Sequence, residues 1–321
     1  MAGQGPSRRE LLQALALASA ASAFPGFSRW SYGLAAFAVQ TSPHATFPAS
    51  PRARLSVATY PFRRFIIAPH NKDRDNSTPG MDLAAFARRV RNEFHVPGIE
   101  PLSLHFPSTE RNEILKLRRQ FDAAGVHTVN IPVDDKVELC STDQALRNAG
   151  NARYRHWIDI AALLGAPSIR VWIPNCADTS DLPRAVQALK PTLDYAATRN
   201  IVVNLENDDP VLSSEARVLS AIKLANTPFL RSLPDFGNSL MGGDERFNAQ
   251  AVKRMFAHAW NIAHVKDAES IHGKRETVSL PELFGIAKAA GYRGYYSMES
   301  DSNVDPFPDT KHLIEQSLRL I

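Results

Sequence analysis

Residues 168–206 contain the run SIRVWI at Ser168–Ile173, a segment of helical period over 181–199, and the run IVVNLE at Ile201–Glu206. The two short runs are rich in β-branched residues, and the segment between them is long enough for a helix of several turns. A strand, a helix and a second strand in this order predict a βαβ unit with parallel strands. The same alternation continues in both directions from this unit.

Six further β-rich runs lie outside this unit, and each is followed by a segment of helical period. The predicted strands are Leu55–Phe62, Ile99–His105, Thr128–Val133, Leu230–Asp235, Ile262–Lys266 and Tyr295–Glu299. The remaining predicted helices cover 82–94, 109–124, 145–164, 213–225, 248–259, 280–290 and 308–320. Eight strand-then-helix units are the number at which a parallel sheet closes. The sequence therefore predicts an α/β fold, a single-domain TIM (β/α)8 barrel over residues 50–321.

The composition is that of an ordinary globular protein. Of the 321 residues, 44% are hydrophobic and 22% are charged, which excludes a disordered or fibrous chain. The formal net charge is only +4, and the basic residues are scattered along the chain. We therefore expect no nucleic-acid partner.

The first residues are typical of an export signal. Arg8 and Arg9 precede Ala14–Ala23, a stretch of alanine, leucine and serine that is too short to span a bilayer. The paired arginines resemble a twin-arginine signal. We expect residues 1–45 to form this signal and an N-terminal extension. The export machinery would then be a partner, the mature protein would be periplasmic, and it would have no stable membrane span.

Cys140 and Cys176 are the two cysteines of the chain. They are too few for a disulfide framework, and their spacing is not that of a zinc cluster. Both follow predicted strands, so a single bridge in an oxidising compartment is one alternative. Two free thiols are the expectation.

Four consecutive predicted strands end in metal-ligand residues. Glu206, Asp235, His264 and Glu299 are separated by 29, 29 and 35 residues, which is about one β/α unit each. Because the carboxyl ends of barrel strands meet at one face, we expect these side chains to converge. Three carboxylates and an imidazole suit one divalent cation. Mn²⁺ is the first expectation, with Mg²⁺, Co²⁺ and Zn²⁺ as alternatives.

These four positions and the residues around them resemble a known family. Asn-Leu-Glu-Asn at 204–207, Asp235, His-Val-Lys-Asp at 264–267 and Met-Glu at 298–299 are similar to motifs of the xylose isomerase-like TIM barrels, in particular the sugar phosphate isomerase/epimerase group. The resemblance covers nearly all of the chain after the signal. It implies that the four positions bind one divalent metal and that Glu206 and Glu299 are also the catalytic proton-transfer pair.

The chemistry of such a site is consistent with this resemblance. A cation that holds adjacent carbonyl and hydroxyl oxygens of a sugar acidifies the neighbouring C–H and stabilises a metal-bound enediolate. Two carboxylates can then remove and return the proton. The expected activity is isomerisation or epimerisation of an unphosphorylated sugar or keto-sugar, since no phosphate-binding motif is evident. The alternatives are a lyase or dehydratase acting on a 3-keto glycoside or inosose, and a non-catalytic periplasmic carbohydrate-binding protein.

Other polar and aromatic residues are candidates for contacts with the substrate. Lys266 has the same strand parity as His264, so we expect it at the site in a catalytic role, with a salt bridge to Asp267 or to another carboxylate as the alternative. The candidate substrate-binding residues are His105, Arg170, Trp172, Asn238 and Tyr60. Arg170 and Trp172 alternate with apolar residues of their strand that should face the helices, so both are expected to point inward. Many family members have a histidine where this chain has Asn238. Because asparagine cannot shuttle a proton, this difference argues against a direct match to the ketose 3-epimerases. The oligomeric state stays open, with a homo-oligomer as one option.

Overall fold

The computed structural model describes residues 42–135, 137–172, 179–211, 214–301 and 305–321. The chain from Ala38 to Ile321 forms one compact unit. Residues 1–41 of the predicted signal and extension lie outside the described residues, so the signal and its boundary at residue 45 stay predictions. Among the described residues, no helix combines the length and apolar character that a membrane span requires.

Short parallel strands form the wall of the barrel. They are β1 (Leu55–Ala58), β2 (Gly98–Glu100), β3 (His127–Thr128), β4 (Ile131–Pro132), β5 (Ser168–Arg170), β6 (Val202–Glu206), β7 (Leu230–Leu233), β8 (Ile262–Val265) and β11 (Tyr295–Met298). Between β8 and β11, an antiparallel hairpin is formed by β9 (Ala268–Ile271) and β10 (Lys274–Thr277). This hairpin was not expected from the sequence.

Two sheets join to close this wall. One has the order β3-β2-β1-β11-β8 and the other has the order β4-β5-β6-β7. The predicted strand Thr128–Val133 contributes to both, because the amide of Val129 bonds to Ile99 while the amide of Val133 bonds to Arg170. At the opposite junction, Asp235 pairs with His264 in a parallel bridge. The predicted eight-stranded barrel is therefore confirmed, although its third strand is divided into two segments.

Helices surround the strands and pack against their neighbours in chain order. They are α1 (Leu83–Arg89), α2 (Arg111–Ala123), α3 (Gln144–Leu164), α4 (Leu182–Arg199), α5 (Glu215–Ala225), α6 (Glu245–Phe256), α7 (Leu280–Ala289) and α8 (Pro306–Leu318). Helix α1 continues into a π-helical turn, Val90–Phe94. Several helices begin after an aspartate whose carboxylate accepts a backbone N–H bond, as Asp82 does from Ala85. In α3, the apolar face expected from Tyr154 to Leu164 is buried.

Each predicted strand extends beyond the observed one, and in two of them the extra residues form a different element. Tyr60–Phe62 and Ser103–His105 form 3-10 turns after β1 and β2, so the chain leaves the extended conformation at these points. The expectation of a free thiol at Cys140 is wrong, because this cysteine is disulfide-bonded. Cys176 lies outside the described residues.

Candidate metal centre and active site

The structure brings the four candidate ligands to one point at the carboxyl ends of the strands. Glu206 is the last residue of β6, Asp235 follows β7, His264 lies in β8 and Glu299 follows β11. One ligand atom from each of the four side chains lies within 4.8 Å of the others, and all four residues are buried. The closed parallel topology is the cause, since it aligns these strand ends on one face.

The imidazole of His264 lies at the centre of this group. Its Nδ1 is 2.9 Å from Oε1 of Glu206, 3.3 Å from Oε2 of Glu299 and 3.9 Å from Oδ2 of Asp235. Asp235 is held by its other oxygen, because Oδ1 accepts the backbone N–H groups of Gly237 and Asn238 at 2.8 and 2.7 Å. Among the described residues, its buried Oδ2 has no hydrogen-bond partner. An unsatisfied carboxylate oxygen that faces two further carboxylates and an imidazole fits a divalent cation.

The charges of this group depend strongly on one another. Burial would lower the pKa of His264, but the carboxylates of Glu100, Glu299 and Glu206 outweigh burial and raise it. Burial would raise the pKa of Glu299, but His264 and Lys266 hold it below its usual value. For Asp235, burial prevails and raises the pKa to about 7. Protonated side chains thus balance the carboxylates where a cation would otherwise do so.

Two buried cationic side chains border the four ligands. Arg170 lies with Nε 3.0 Å from Oε2 of Glu206 and with a terminal nitrogen 2.7 Å from Oδ1 of Asp134. The predicted inward orientation of Arg170 therefore places it against one member of the glutamate pair. Because a guanidinium fixes the carboxylate that it touches, Arg170 restricts Glu206 to one orientation.

Lys266 reaches the other member of the glutamate pair. Its ammonium group donates to Oδ1 of Asn238 at 2.7 Å and to Glu269 at 3.1 Å. It also lies 3.4 Å from Oε2 of Glu299 and 3.5 Å from Oδ2 of Asp235. Of the salt bridges considered from the sequence, the one to Asp267 is not formed, because Asp267 pairs with Arg275, whereas those to other carboxylates are formed. Lys266 is therefore within reach of a reacting atom held between the two glutamates.

A cavity of about 300 Å³ opens above this group. The sequence-predicted residues that line it are Glu206, Glu299, Lys266, Arg170, Trp172, Asn238 and Tyr60. His105 is not among its lining residues. This histidine is buried, with Nδ1 2.7 Å from Oγ1 of Thr59, and burial lowers its pKa to about 4. Its place in the structure is that of a neutral core histidine behind the cavity wall.

Several acidic side chains of the cavity were not expected from the sequence. They are Glu100, Asp134, Asp208, Glu269 and Asp301. Glu100 is a charged residue within a short apolar strand, and this unusual position is the signal that could have identified it. Glu269 comes from the unexpected hairpin, and no strand-end pattern indicates it.

Comparison with known proteins agrees with this architecture. A family model for the xylose isomerase-like TIM barrel matches residues 92–321. A xylose isomerase domain protein from Planctomyces limnophilus is 18% identical, with a TM-score of 0.59 over 83% of this chain and 95% of that chain. A D-psicose 3-epimerase from Clostridium cellulolyticum H10, solved with D-tagatose, is 12% identical, with a TM-score of 0.66 over 83% and 99%.

A third solved structure has a comparable likeness. A xylose isomerase-like TIM barrel protein from Mycobacterium smegmatis, in complex with magnesium, is 16% identical, with a TM-score of 0.64 over 85% of this chain and 98% of that chain. None of the curated proteins matches the sequence. At these identities, the solved structures establish a shared fold.

Proposed function

Since the chain belongs to the xylose isomerase-like TIM barrel family, we propose that it is a divalent-metal-dependent isomerase or epimerase of an unphosphorylated sugar or keto-sugar. The observation that carries this proposal is the buried group of Glu206, Asp235, His264 and Glu299 beneath an open cavity. Solved structures of the same fold include a D-psicose 3-epimerase and an L-ribulose 3-epimerase, which supports sugar chemistry.

The proposed reaction begins with removal of a proton from the carbon beside a carbonyl group. A bound divalent cation supplies Lewis-acid stabilisation of the negative charge that develops on the substrate oxygens. Glu206 and Glu299 are the proton-transfer pair: one carboxylate removes the proton from carbon, and the other, in its protonated form, delivers a solvent-derived proton to carbon. Arg170 holds Glu206 in place, and Lys266, 3.4 Å from Glu299, stabilises a developing oxyanion. Return to the opposite face yields an epimer, and return to the adjacent carbon yields an isomer.

The charge of the cavity supports an uncharged substrate. Its lining contains seven acidic side chains against three basic ones, so it stays negative after two charges are offset by a divalent cation. A phosphate or carboxylate substituent would be repelled there, whereas sugar hydroxyls can bond to either kind of group. Trp172 and Tyr60 provide aromatic surface for the apolar face of a sugar ring. For the cation we propose Mn²⁺, with Mg²⁺ as the first alternative because it is bound in the Mycobacterium smegmatis relative.

Solvent exchange tests this proposal directly. The metal-loaded protein is incubated in D₂O with a panel of free and 3-keto sugars, and deuterium incorporation is followed by NMR and mass spectrometry. We expect incorporation at a carbon beside a carbonyl, and we expect Glu299→Gln to abolish it while the protein remains folded. No incorporation and no turnover across the panel would refute the enzymatic proposal. Full ligand affinity in Glu299→Gln would then favour a carbohydrate-binding protein.

A lyase is the second candidate, and the position of Lys266 favours it. An ammonium group beside Glu299 can protonate a leaving oxygen once the enediolate has formed, so that elimination replaces reprotonation at carbon. The same incubation separates these outcomes. An epimer or isomer retains every substrate atom, whereas elimination from a 3-keto glycoside releases the aglycone as a separate product.

We also propose that the protein is exported to the periplasm through the twin-arginine route. Arg8 and Arg9 support this proposal, and so does the disulfide bond at Cys140, because disulfides persist in oxidising compartments. Cell fractionation of the full-length chain should find the protein in the periplasm. The double substitution Arg8→Lys and Arg9→Lys should retain it in the cytoplasm, and equal export of both forms would overturn the assignment.

A further inference from the structure

We propose that Glu100 is a positioning residue that determines which nitrogen of His264 faces the metal. This inference rests on the proposed metal site and adds a residue to it. Glu100 ends β2, in the same sheet as β8 and β11, and it is 1% exposed. The four-ligand pattern does not contain it, and the proton-transfer chemistry proposed above does not use it.

The contact between Glu100 and His264 has a defined direction. Nε2 of His264 lies 3.0 and 3.1 Å from the two carboxylate oxygens of Glu100. A carboxylate can only accept a hydrogen bond, so Nε2 carries a proton. Nδ1 faces Glu206, Glu299 and Asp235 on the other side of the ring, and by the same rule it also carries a proton in the metal-free protein. A cation at this position would replace the Nδ1 proton, while the Nε2 proton stays in its bond to Glu100. The tautomer selected by Glu100 is therefore the one that can coordinate a cation.

A chain of hydrogen bonds between buried side chains holds Glu100 in place. Asn130 donates to its Oε1 at 2.7 Å, and Ser168 donates to Oδ1 of Asn130 at 2.5 Å. Asn261 donates to Ser168 at 2.7 Å and accepts from Asn204 at 3.1 Å. These four residues are fully buried, and with Glu100 they connect strands from both sheets through the interior of the barrel. We call these five residues the lumen network.

The lumen network explains how the orientation of Glu100 is maintained. A lone buried carboxylate would be costly, but each donor in this network has an acceptor, which fixes the carboxylate plane against the imidazole. Glu100 lies on the Nε2 side of the ring, opposite the carboxylates that contact Nδ1. Glu100 therefore acts on the cation through His264 and is not itself a ligand.

Metal affinity provides the first test. Chelator-treated wild type, Glu100→Ala and Glu100→Gln are titrated with Mn²⁺ by calorimetry, and circular dichroism verifies that each is folded. We expect Glu100→Ala to bind about 10- to 100-fold more weakly, as for other residues that orient a ligand. Glu100→Gln should recover most of this loss, because its amide oxygen can accept the Nε2 proton. Equal affinity in wild type and Glu100→Ala would overturn the inference.

The tautomer provides a second readout, which a purely structural role would not change. In the Zn²⁺-loaded protein labelled with ¹⁵N-histidine, two-bond ¹H–¹⁵N correlation should show His264 protonated at Nε2 and bound through Nδ1. Binding through Nε2 would overturn the inference. If Glu100→Ala does not fold, Glu100→Gln and this spectrum decide the question.

Asp235→Ala distinguishes a failure of the proposed role of Glu100 from a failure of the proposed metal site. Loss of Mn²⁺ binding in Asp235→Ala with unchanged binding in Glu100→Ala would refute only the role of Glu100. A wild-type protein that binds no divalent cation would refute the metal site and the inference together.

Discussion

Replacement of Asp235 with asparagine should stabilise the metal-free protein and remove most of the stabilisation that a bound cation provides. Oδ1 of Asp235 accepts two backbone hydrogen bonds, from Gly237 and Asn238, and the asparagine carbonyl can keep both. The buried Oδ2 has no hydrogen-bond partner among the described residues, although the ammonium of Lys266 is 3.5 Å away. The substitution therefore removes one buried charge and leaves the local backbone contacts in place.

The expected effect on the metal-free protein follows from the pKa of this group. Burial, reinforced by Glu206 and Glu299 and opposed by Lys266, raises the pKa of Asp235 from 3.8 to about 7. A folded-state pKa above the unfolded value means that native stability falls as the pH rises from about 4 to about 7. At about 1.4 kcal/mol per pKa unit, ionisation costs the native state up to about 4 kcal/mol at pH 8. Asparagine avoids this cost, so metal-free Asp235→Asn should be the more stable protein at pH 8.

In the metal-loaded protein the difference should be smaller, because the cation stabilises only the wild type, and at pH 8 the advantage of the variant should fall from about 4 to about 1 kcal/mol. A cation at 100 times its dissociation constant stabilises the wild type by about 2.7 kcal/mol, and the variant should lose most of this gain with its ligand. Calorimetric unfolding at pH 8 and pH 5, with chelator or with Mn²⁺, measures both effects. The advantage of the metal-free variant should shrink to about 2 kcal/mol at pH 5, because less of the wild-type carboxylate is ionised there.

A matched control uses an exposed aspartate away from the site. Asp122 lies 3.7 Å from Arg118 at the surface, so Asp122→Asn should change stability by less than about 1 kcal/mol with or without metal. A full Mn²⁺-dependent stabilisation in Asp235→Asn would refute its assignment as a ligand. A metal-free Asp235→Asn protein less stable than wild type at pH 8 would refute the reasoning about buried charge.

Three further substitutions test other parts of the structure. Lys266→Met removes the charge 3.4 Å from Glu299, so it should slow substrate deuterium exchange by about 100-fold while Mn²⁺ affinity stays within a few fold. Unchanged exchange, measured by NMR, would contradict a catalytic role for Lys266. Burial lowers the pKa of His105 to about 4, so native stability should fall by up to about 3 kcal/mol as the pH is lowered from 6.5 to 4. His105→Gln should remove this pH dependence in urea unfolding. An equal pH dependence of stability in the variant and the wild type would contradict the prediction. Gly98→Ala places a Cβ 2.6 Å from the carbonyl oxygen of Leu55, so it should separate β1 from β2 and lower the free energy of unfolding by about 1–3 kcal/mol. An unchanged denaturation midpoint would exclude a tight contact there.

The elements of the barrel could largely be predicted from residue patterns because their periods are local properties. The apolar face of α3 has a helical period, and its residues from Tyr154 to Leu164 are buried as that period predicts. The ends of the strands were less predictable. At Tyr60–Phe62, apolar residues continue past β1, but the chain forms a 3-10 turn there and the strand does not continue.

The candidate site also contains residues whose positions strand parity predicts and residues whose positions it does not predict. Arg170, the last residue of β5, has the inward strand parity that the sequence indicates and lines the cavity. His105 also ends a predicted strand, yet its ring bonds to Thr59 behind the cavity wall. Parity identifies the side of a regular strand, but it loses meaning where the strand has already ended.

The sequence by itself determined the eight β/α units and the convergence of Glu206, Asp235, His264 and Glu299. It could do so because a closed parallel barrel brings the carboxyl end of every strand to one face, so position along the chain becomes position in space. Only the tertiary structure decided that Glu100 contacts Nε2 of His264. That contact depends on the relative positions of β2 and β8 around the closed barrel, and no local pattern in the chain encodes the distance between their side chains.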